Sequence, residues 1–274
     1  MHKIINLLRE PSTLDIDVDS VDRLSIHRRI LKRKKLLRSV FREFHHKFMK
    51  LDDKYFSGDG FKIELGSGIA PVRDTYPEVL ATDTVYTPEL DQILDAQDMN
   101  LADNSVRAMF AQNCFHHFPD PKMFFSELNR VLKPGAGIVL IEPYYGPFAS
   151  FVFKKLFKTE GFDKEFPSWN TPISGPMNGA NQALSYIVFV RDRKDFECSY
   201  PSLEIVHQEC CGNYLKYLLS GGLNFRQLLP SFTEGIINIF QFLLSPFNKW
   251  LSLHHVIVIR KKPIKEKNEK KTKL

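Results

Sequence analysis

Cysteine, tryptophan and glycine are all sparse in this chain of 274 residues: four, two and 14 respectively. Cys114, Cys198, Cys210 and Cys211 form no CxxC pair and no metal-ligand spacing. That removes zinc-ribbon and dithiol-redox readings, and no metal is expected. Cys210 and Cys211 adjoin and are poorly placed to bridge each other, so a reduced, cytoplasmic chain is expected. A long hydrophobic run is missing as well. The longest apolar tract, IINIFQFLLSPF at 236–247, is broken by Asn238, Gln241, Ser245 and Pro246. Spanning a bilayer takes about 20 mostly apolar residues. The opening MHKIINLLRE has too short an apolar run for a secretory leader. No internal repeat is visible.

What is present is ordinary for a globular enzyme: 43% hydrophobic and 26% charged residues. The net charge is +6, but it is unevenly placed. Residues 28–50 carry ten Lys/Arg against one Glu, and residues 260–274 carry eight against two Glu. The remainder is therefore acidic, which argues against a nucleic-acid groove in the body of the molecule.

Apolar residues Leu37, Val40, Phe41, Phe44, Phe48 and Leu51 recur at helical spacing, predicting a basic amphipathic helix over 28–51 behind an irregular start. Such a helix either packs on the body with its charges in water or lies on an anionic membrane surface. Strands are predicted at 61–65, 78–83, 91–95, 106–112 and 136–142. A helix with an Asp cap and an N-terminal Pro is predicted over 120–132, stopped by Lys133-Pro134-Gly135. This βα alternation predicts a doubly wound, mostly parallel α/β sheet. FPSWNTPISGPMNGAN at 166–181 reads as loop, and 213–251 as largely helical and apolar. Two more strands are predicted at 202–210 and 254–262. The expected organisation is a basic helical cap at 1–54 and a main domain at 55–262 with a substrate-side insertion at 143–200. A charged, disordered tail at 263–274 follows.

The most informative stretch is FKIELGSGIAP at 61–71. A strand ends on Glu64 and breaks into Gly66-Ser67-Gly68, a turn at which a ligand can approach the backbone. A carboxylate at Glu64 repels a pyrophosphate and attracts an amine. Pro71 stands where a dinucleotide fingerprint needs its last glycine, so GxGxxG fails. Asp83 ends the second strand, where an acid can accept from both ribose hydroxyls. Asp95 and Asn113 end the third and fourth. A ligand with an amine, a ribose and an adenine but no phosphate fits, and S-adenosylmethionine is such a molecule.

IELGSGIAP, ATD, LDAQDMNLADNSVR, NCFHHFPDP and RVLKPGAGIVLIEP also resemble, in order and spacing, the motifs of class I S-adenosylmethionine-dependent methyltransferases, most closely the type 11 group. The resemblance covers roughly residues 60–143. It implies a Rossmann-like seven-stranded sheet whose last strand is antiparallel. It also implies that Glu64, Gly66, Ser67 and Gly68 seat the methionine part, Asp83 and Thr84 the ribose, Asp95 and Ala96 the adenine, and that Gln112 and Asn113 line the cofactor. Ala70 departs from the family's third glycine, and APVRDTYP leaves room for a first helix of only a few turns or less.

Methyl transfer is an in-line displacement that asks for alignment and a dry site, with a weak base or none. His116 and His117 are candidate bases. Glu142, ending the fifth strand, is a candidate for the same crevice, and each of the three could equally be structural. Tyr144, Tyr145 and Trp169 are candidates for an acceptor wall or for plain loop packing. The expected acceptor is a small molecule or a lipid- or sugar-type biosynthetic intermediate, with nucleic acid disfavoured and peripheral membrane contact open. The rivals are a binding module that keeps the cofactor without catalysis, and a nicotinamide oxidoreductase. The latter predicts GxGxxG and, in its short-chain form, Tyr-x-x-x-Lys; neither occurs.

Overall fold

The computed structural model describes residues 8–14, 21–69, 71–156, 160–172 and 180–264. Seven strands form one sheet: β1 (Phe61–Leu65), β2 (Val79–Asp83), β3 (Gln92–Ile93), β4 (Val106–Gln112), β5 (Leu132–Pro143), β6 (Leu203–Cys210) and β7 (His254–Lys261). Their order is β3-β2-β1-β4-β5-β7-β6, and only β7 runs antiparallel to its neighbours. This is the predicted Rossmann-like class I sheet. Strand order reverses between β1 and β4, which creates a crevice at their carboxyl ends.

Both faces of the central strands are apolar because both are covered. On β4, Met109 and Ala111 face one layer while Ala108 and Phe110 face the other, and β5 and β7 alternate in the same way. The first layer is α3 (Pro121–Val131), with Phe124, Phe125, Leu128 and Val131, together with the helical stretch 184–199. The second is α2 (Lys35–Tyr55), which buries Val40, Phe44, Phe48 and Leu51 against β4, β5 and β7. Each such phenylalanine contributes about 1.5–3 kcal/mol by leaving water. Near the end of α2, Asp52 is fully buried between Lys62 (3.1 Å) and Arg107 (2.6 Å).

Several expectations are corrected. The basic helix is two helices, α1 (Val21–Arg33) and α2, and it starts earlier than predicted. The break is Lys34, whose backbone is extended (φ −90°, ψ 92°). Its ammonium is turned inward onto the carbonyls of Gly222 and Phe225 and lies 3.4 Å from Glu10. Helical alternation fails between β1 and β4. The β1–β2 link is one 3-10 turn at Val72–Asp74 between two prolines, and the next two links are irregular. Strand β5 starts at Leu132, taking in the predicted helix stop, with Gly135 at φ 83°. The segment 213–251 is largely helical as expected, but interrupted. Helix α6 (Tyr214–Ser220) ends on Gly221 and Gly222, both at positive φ, and helix resumes with a 3-10 turn at Ser231–Thr233 leading into α7 (Glu234–Leu243) and another at Ser245–Phe247 leading into α8 (Asn248–Leu251). Helix α4 (Pro147–Lys155) follows β5, and α5 (Arg193–Ser199) closes the 184–199 stretch. The tail from 265, Ala70 and part of the 166–181 loop lie outside the described residues.

Candidate functional site

Every sequence-predicted cofactor residue lies at the carboxyl end of β1, β2, β3 or β4. The turn after β1 is held by its own side chains. Ser67 Oγ accepts from the Thr82 N–H at 3.0 Å, and the Ser67 N–H donates to the Thr82 carbonyl at 2.9 Å. The Gly68 N–H donates to Asp83 Oδ2 at 3.0 Å, and Asp83 Oδ1 accepts from the Val85 N–H at 3.2 Å. Gly66 and Gly68 have φ of 62° and 52°. A Cβ on Gly66 would stand 2.4 Å from Cys114 Sγ, whereas one on Gly68 would meet nothing nearer than 3.8 Å. The first glycine is therefore required by packing against the β4 turn, and the second leaves an open cradle.

Glu64 is buried and accepts from the Val72 N–H at 2.7 Å through Oε2. Burial outweighs that hydrogen bond and pushes its carboxyl up to about 8. Thr84 and Asp95 are exposed, with Asp95 Oδ1 capping the Gln97 N–H at 2.8 Å, while Ala96 is buried. Gln112 ends β4. Asn113 follows at φ 49°, and its Oδ1 is buried without a partner. That orphaned acceptor, the open cradle at Gly68 and the carboxylates of Glu64, Asp83 and Asp95 suit a nucleoside with an amine-bearing tail. In S-adenosylmethionine, the group that fits them, the sulfonium supplies an electrophilic methyl.

Beyond this edge lies a second cluster. Glu142 is fully buried at the end of β5. Its Oε1 accepts from the Cys114 and Phe115 N–H groups, both at 2.9 Å, and its Oε2 is 2.6 Å from His116 Nδ1. His116 Nε2 is 3.3 Å from Glu160 Oε2. Burial lowers the His116 pKa, but the charges and hydrogen bonds of Glu142 and Glu160 outweigh it and raise it to about 10. Burial, then the His116 charge, lowers His117 to about 3. The pair thus splits into one histidine that keeps its proton at neutral pH and one that stays neutral. Burial also pushes the Cys114 thiol well up, so it is packing rather than a nucleophile.

Tyr144 and Tyr145 pack with ring centroids 4.5 Å apart, and Tyr145 meets Tyr186 at 4.8 Å. His255, held by Ser185 at 2.8 Å, closes this wall. Trp169 is not part of it. It packs edge-on against Phe125 in the first core layer, with its indole N–H donated to Asp192 at 2.9 Å. Sequence reasoning missed Glu160, Tyr186, Ser185 and His255. Glu160 stands 44 residues from His116 in an irregular segment, and His255 reads as one more residue of an apolar strand.

The sheet order and a nucleoside crevice with an acid ending β2 define a class I cofactor domain. Residues 73–140 match the family model described as "Methyltransferase domain". Over that stretch the chain is similar to S-adenosylmethionine-dependent methyltransferases of the type 11 kind. Solved structures to which it is similar include a SAM-dependent methyltransferase from Archaeoglobus fulgidus, at 14% identity, covering 81% of this chain and 94% of that one, with a TM-score of 0.45. Another is geranyl diphosphate C-methyltransferase from Streptomyces coelicolor, at 12% identity, 80% and 77% coverage and a TM-score of 0.45. A third is phosphoethanolamine N-methyltransferase 2 from Haemonchus contortus, at 13% identity, 86% and 60% coverage and a TM-score of 0.44. No curated protein matches the chain.

Proposed function

We propose that this chain transfers the methyl group of S-adenosylmethionine to a lipid-type biosynthetic intermediate at a membrane surface. The observation that carries this reading is the apolar face of α7 and its flanks. Phe232, Ile236, Ile239, Phe240, Phe242, Leu243, Phe247 and Trp250 are all exposed, Phe232 by 88% and Phe242 by 76%. No charged residue occurs from 235 to 248. Soluble surfaces rarely carry an apolar patch of that extent without a partner. The acid that begins α7, Glu234, is turned inward onto Lys216 and Ser39.

Beside this face, α2 exposes Arg42, whose charge acts on Glu234. An apolar face bordered by positive charge is the pattern of an interfacial segment on anionic lipid. Among the described residues no helix is long and apolar enough to cross a membrane. The face also leads inward. Helix α8 sits against α4, and Gly146, just before α4, lies against both the Tyr144 ring and the backbone carbonyl of Lys249. The outward face is thus packed directly onto the segment that carries Tyr144 and Tyr145.

On this reading the cofactor edge holds the donor, Glu142 keeps the β4 turn in place, and the tyrosines exclude water around an in-line transfer. Flotation with anionic and neutral vesicles, together with transfer from methyl-labelled cofactor to a lipid extract and to a water-soluble extract, tests it. Binding to anionic vesicles and label in the lipid fraction are expected. No vesicle binding, with label confined to water-soluble products, overturns the lipid reading.

A further inference from the structure

Three side chains converge beside the cofactor edge with no role in holding the cofactor. His116 and His117 come from the 3-10 turn Phe115–His117 after β4, and Glu160 from the segment after α4. One donor atom from each lies within 4.8 Å of the other two. The two rings are 4.2 Å apart and tilted by 37°.

Two independent features give this convergence a direction. The first is the clamp on His116. Glu142 is anchored by two backbone N–H groups and cannot swing away, so its second oxygen fixes the Nδ1 side of the ring at 2.6 Å. Nε2 is thereby aimed at Glu160. A carboxylate that orients one imidazole nitrogen while the other faces an acidic ligand is the usual outer support of a metal-bound histidine. The second feature is His117. Its Nδ1 is buried without a hydrogen-bond partner. Buried ring nitrogens are nearly always partnered, and an orphan calls for an unseen group.

We propose that His116, His117 and Glu160 form a divalent-metal site. Two imidazoles and one carboxylate suit a borderline ion such as Zn2+ or Co2+ better than Mg2+ or Ca2+, which prefer all-oxygen sets. Three protein ligands leave a fourth position open, as in metal sites that engage a substrate or water. The rival arrangement is a protonated His116 bridging Glu142 and Glu160 as a closed ion triad. That triad uses His116 fully and gives His117 no part, so His117 separates the two.

The site is independent of the acceptor's identity, and its test reads metal rather than methyl transfer. The full chain is stripped with chelator, dialysed, and titrated with Co2+ and then with Zn2+ in competition. One equivalent of Co2+ with visible d–d bands of nitrogen-ligand intensity is expected, displaced by Zn2+, with a rise in melting temperature. His117→Ala and Glu160→Gln should each weaken Co2+ binding by at least about tenfold, as losing a ligand costs no less than losing its outer support. Glu142→Gln should weaken it by about 10–100-fold while keeping the same band positions, since it acts through His116. Circular dichroism and S-adenosylmethionine binding report whether each variant is folded. Less than half an equivalent bound by the unaltered chain overturns the proposal. So does unchanged Co2+ affinity in folded His117→Ala, which would leave the ion triad.

Discussion

Glu64 and Asp83 both stand at the cofactor edge, but their environments separate them. Asp83 spends each oxygen on a backbone N–H, and each keeps lone-pair capacity for a ribose hydroxyl. Asp83→Ala should weaken S-adenosylmethionine binding by about 2–3 kcal/mol, the cost of losing a charged acceptor, as read by calorimetry. An unchanged affinity would remove Asp83 from the ribose role. Glu64 is different because it is buried near Asp74, Asp83 and Cys114, with the Val72 N–H as its backbone donor. Its pKa of about 8 in the fold lies above the ordinary 4.5. The folded state therefore holds a proton that the unfolded state releases. Relative to high pH, the fold is favoured fully below about pH 4.5, and that advantage fades as pH rises through about 8. The cofactor's ammonium favours the opposite, ionised form. Affinity should therefore climb with pH up to about 8, by at most about tenfold per unit, with a proton released on binding. Glu64→Gln should flatten both slopes; calorimetry in buffers of different ionisation enthalpy reads the proton directly, and an equal slope in the variant would exclude Glu64 as its source.

At the scale of elements, the turn after β1 is coupled to the turn after β4 through one contact. Gly66→Ala meets two obstacles, a φ of 62° that a Cβ resists and the Cys114 sulfur at 2.4 Å. It should cost about 1–3 kcal/mol for the backbone alone, with the clash added. In Gly66→Ala/Cys114→Ala the steric part should return and the backbone part should not. Chemical denaturation of the four-member set measures this, and strict additivity would mean the contact is not felt. Strand ends were the legible part of the fold. β1 and β4 end where the glycine and Asn breaks predict, because Gly66 and Asn113, both at positive φ, stop the extended chain. Links were less legible. The split at Lys34 depends on carbonyls of Gly222 and Phe225, 188 and 191 residues away, and no local pattern announces it. The candidate cofactor residues come together at one edge because they sit in one ordered run of strand ends. Glu160 and His255 were not legible, since only tertiary packing brings them to His116 and Tyr145.

The whole molecule is asymmetric in how it meets its surroundings. The two faces of the sheet are buried under α2, α3 and the 184–199 stretch, while α7 and α8 lie near the β5 and β7 ends and turn an apolar face outward. Folding does not require that exposure. Ile237 is the one α7 residue turned fully into the body, and Lys216 ties the start of the helix to Glu43 and Glu234. Substitutions on the outer face should thus be nearly neutral for stability, within about 0.5 kcal/mol. Ile239→Glu/Phe242→Glu places two like charges against any anionic surface and removes two exposed apolar side chains. It should abolish flotation with anionic vesicles and raise solubility, while the melting temperature and S-adenosylmethionine affinity stay as they were. Transfer to an acceptor dispersed in detergent should persist, because the tyrosine wall and the cofactor edge lie behind the face. If the charged variant still floats with the vesicles, α7 is not the membrane contact. If it loses cofactor binding as well, the face belongs to the catalytic body instead of its periphery.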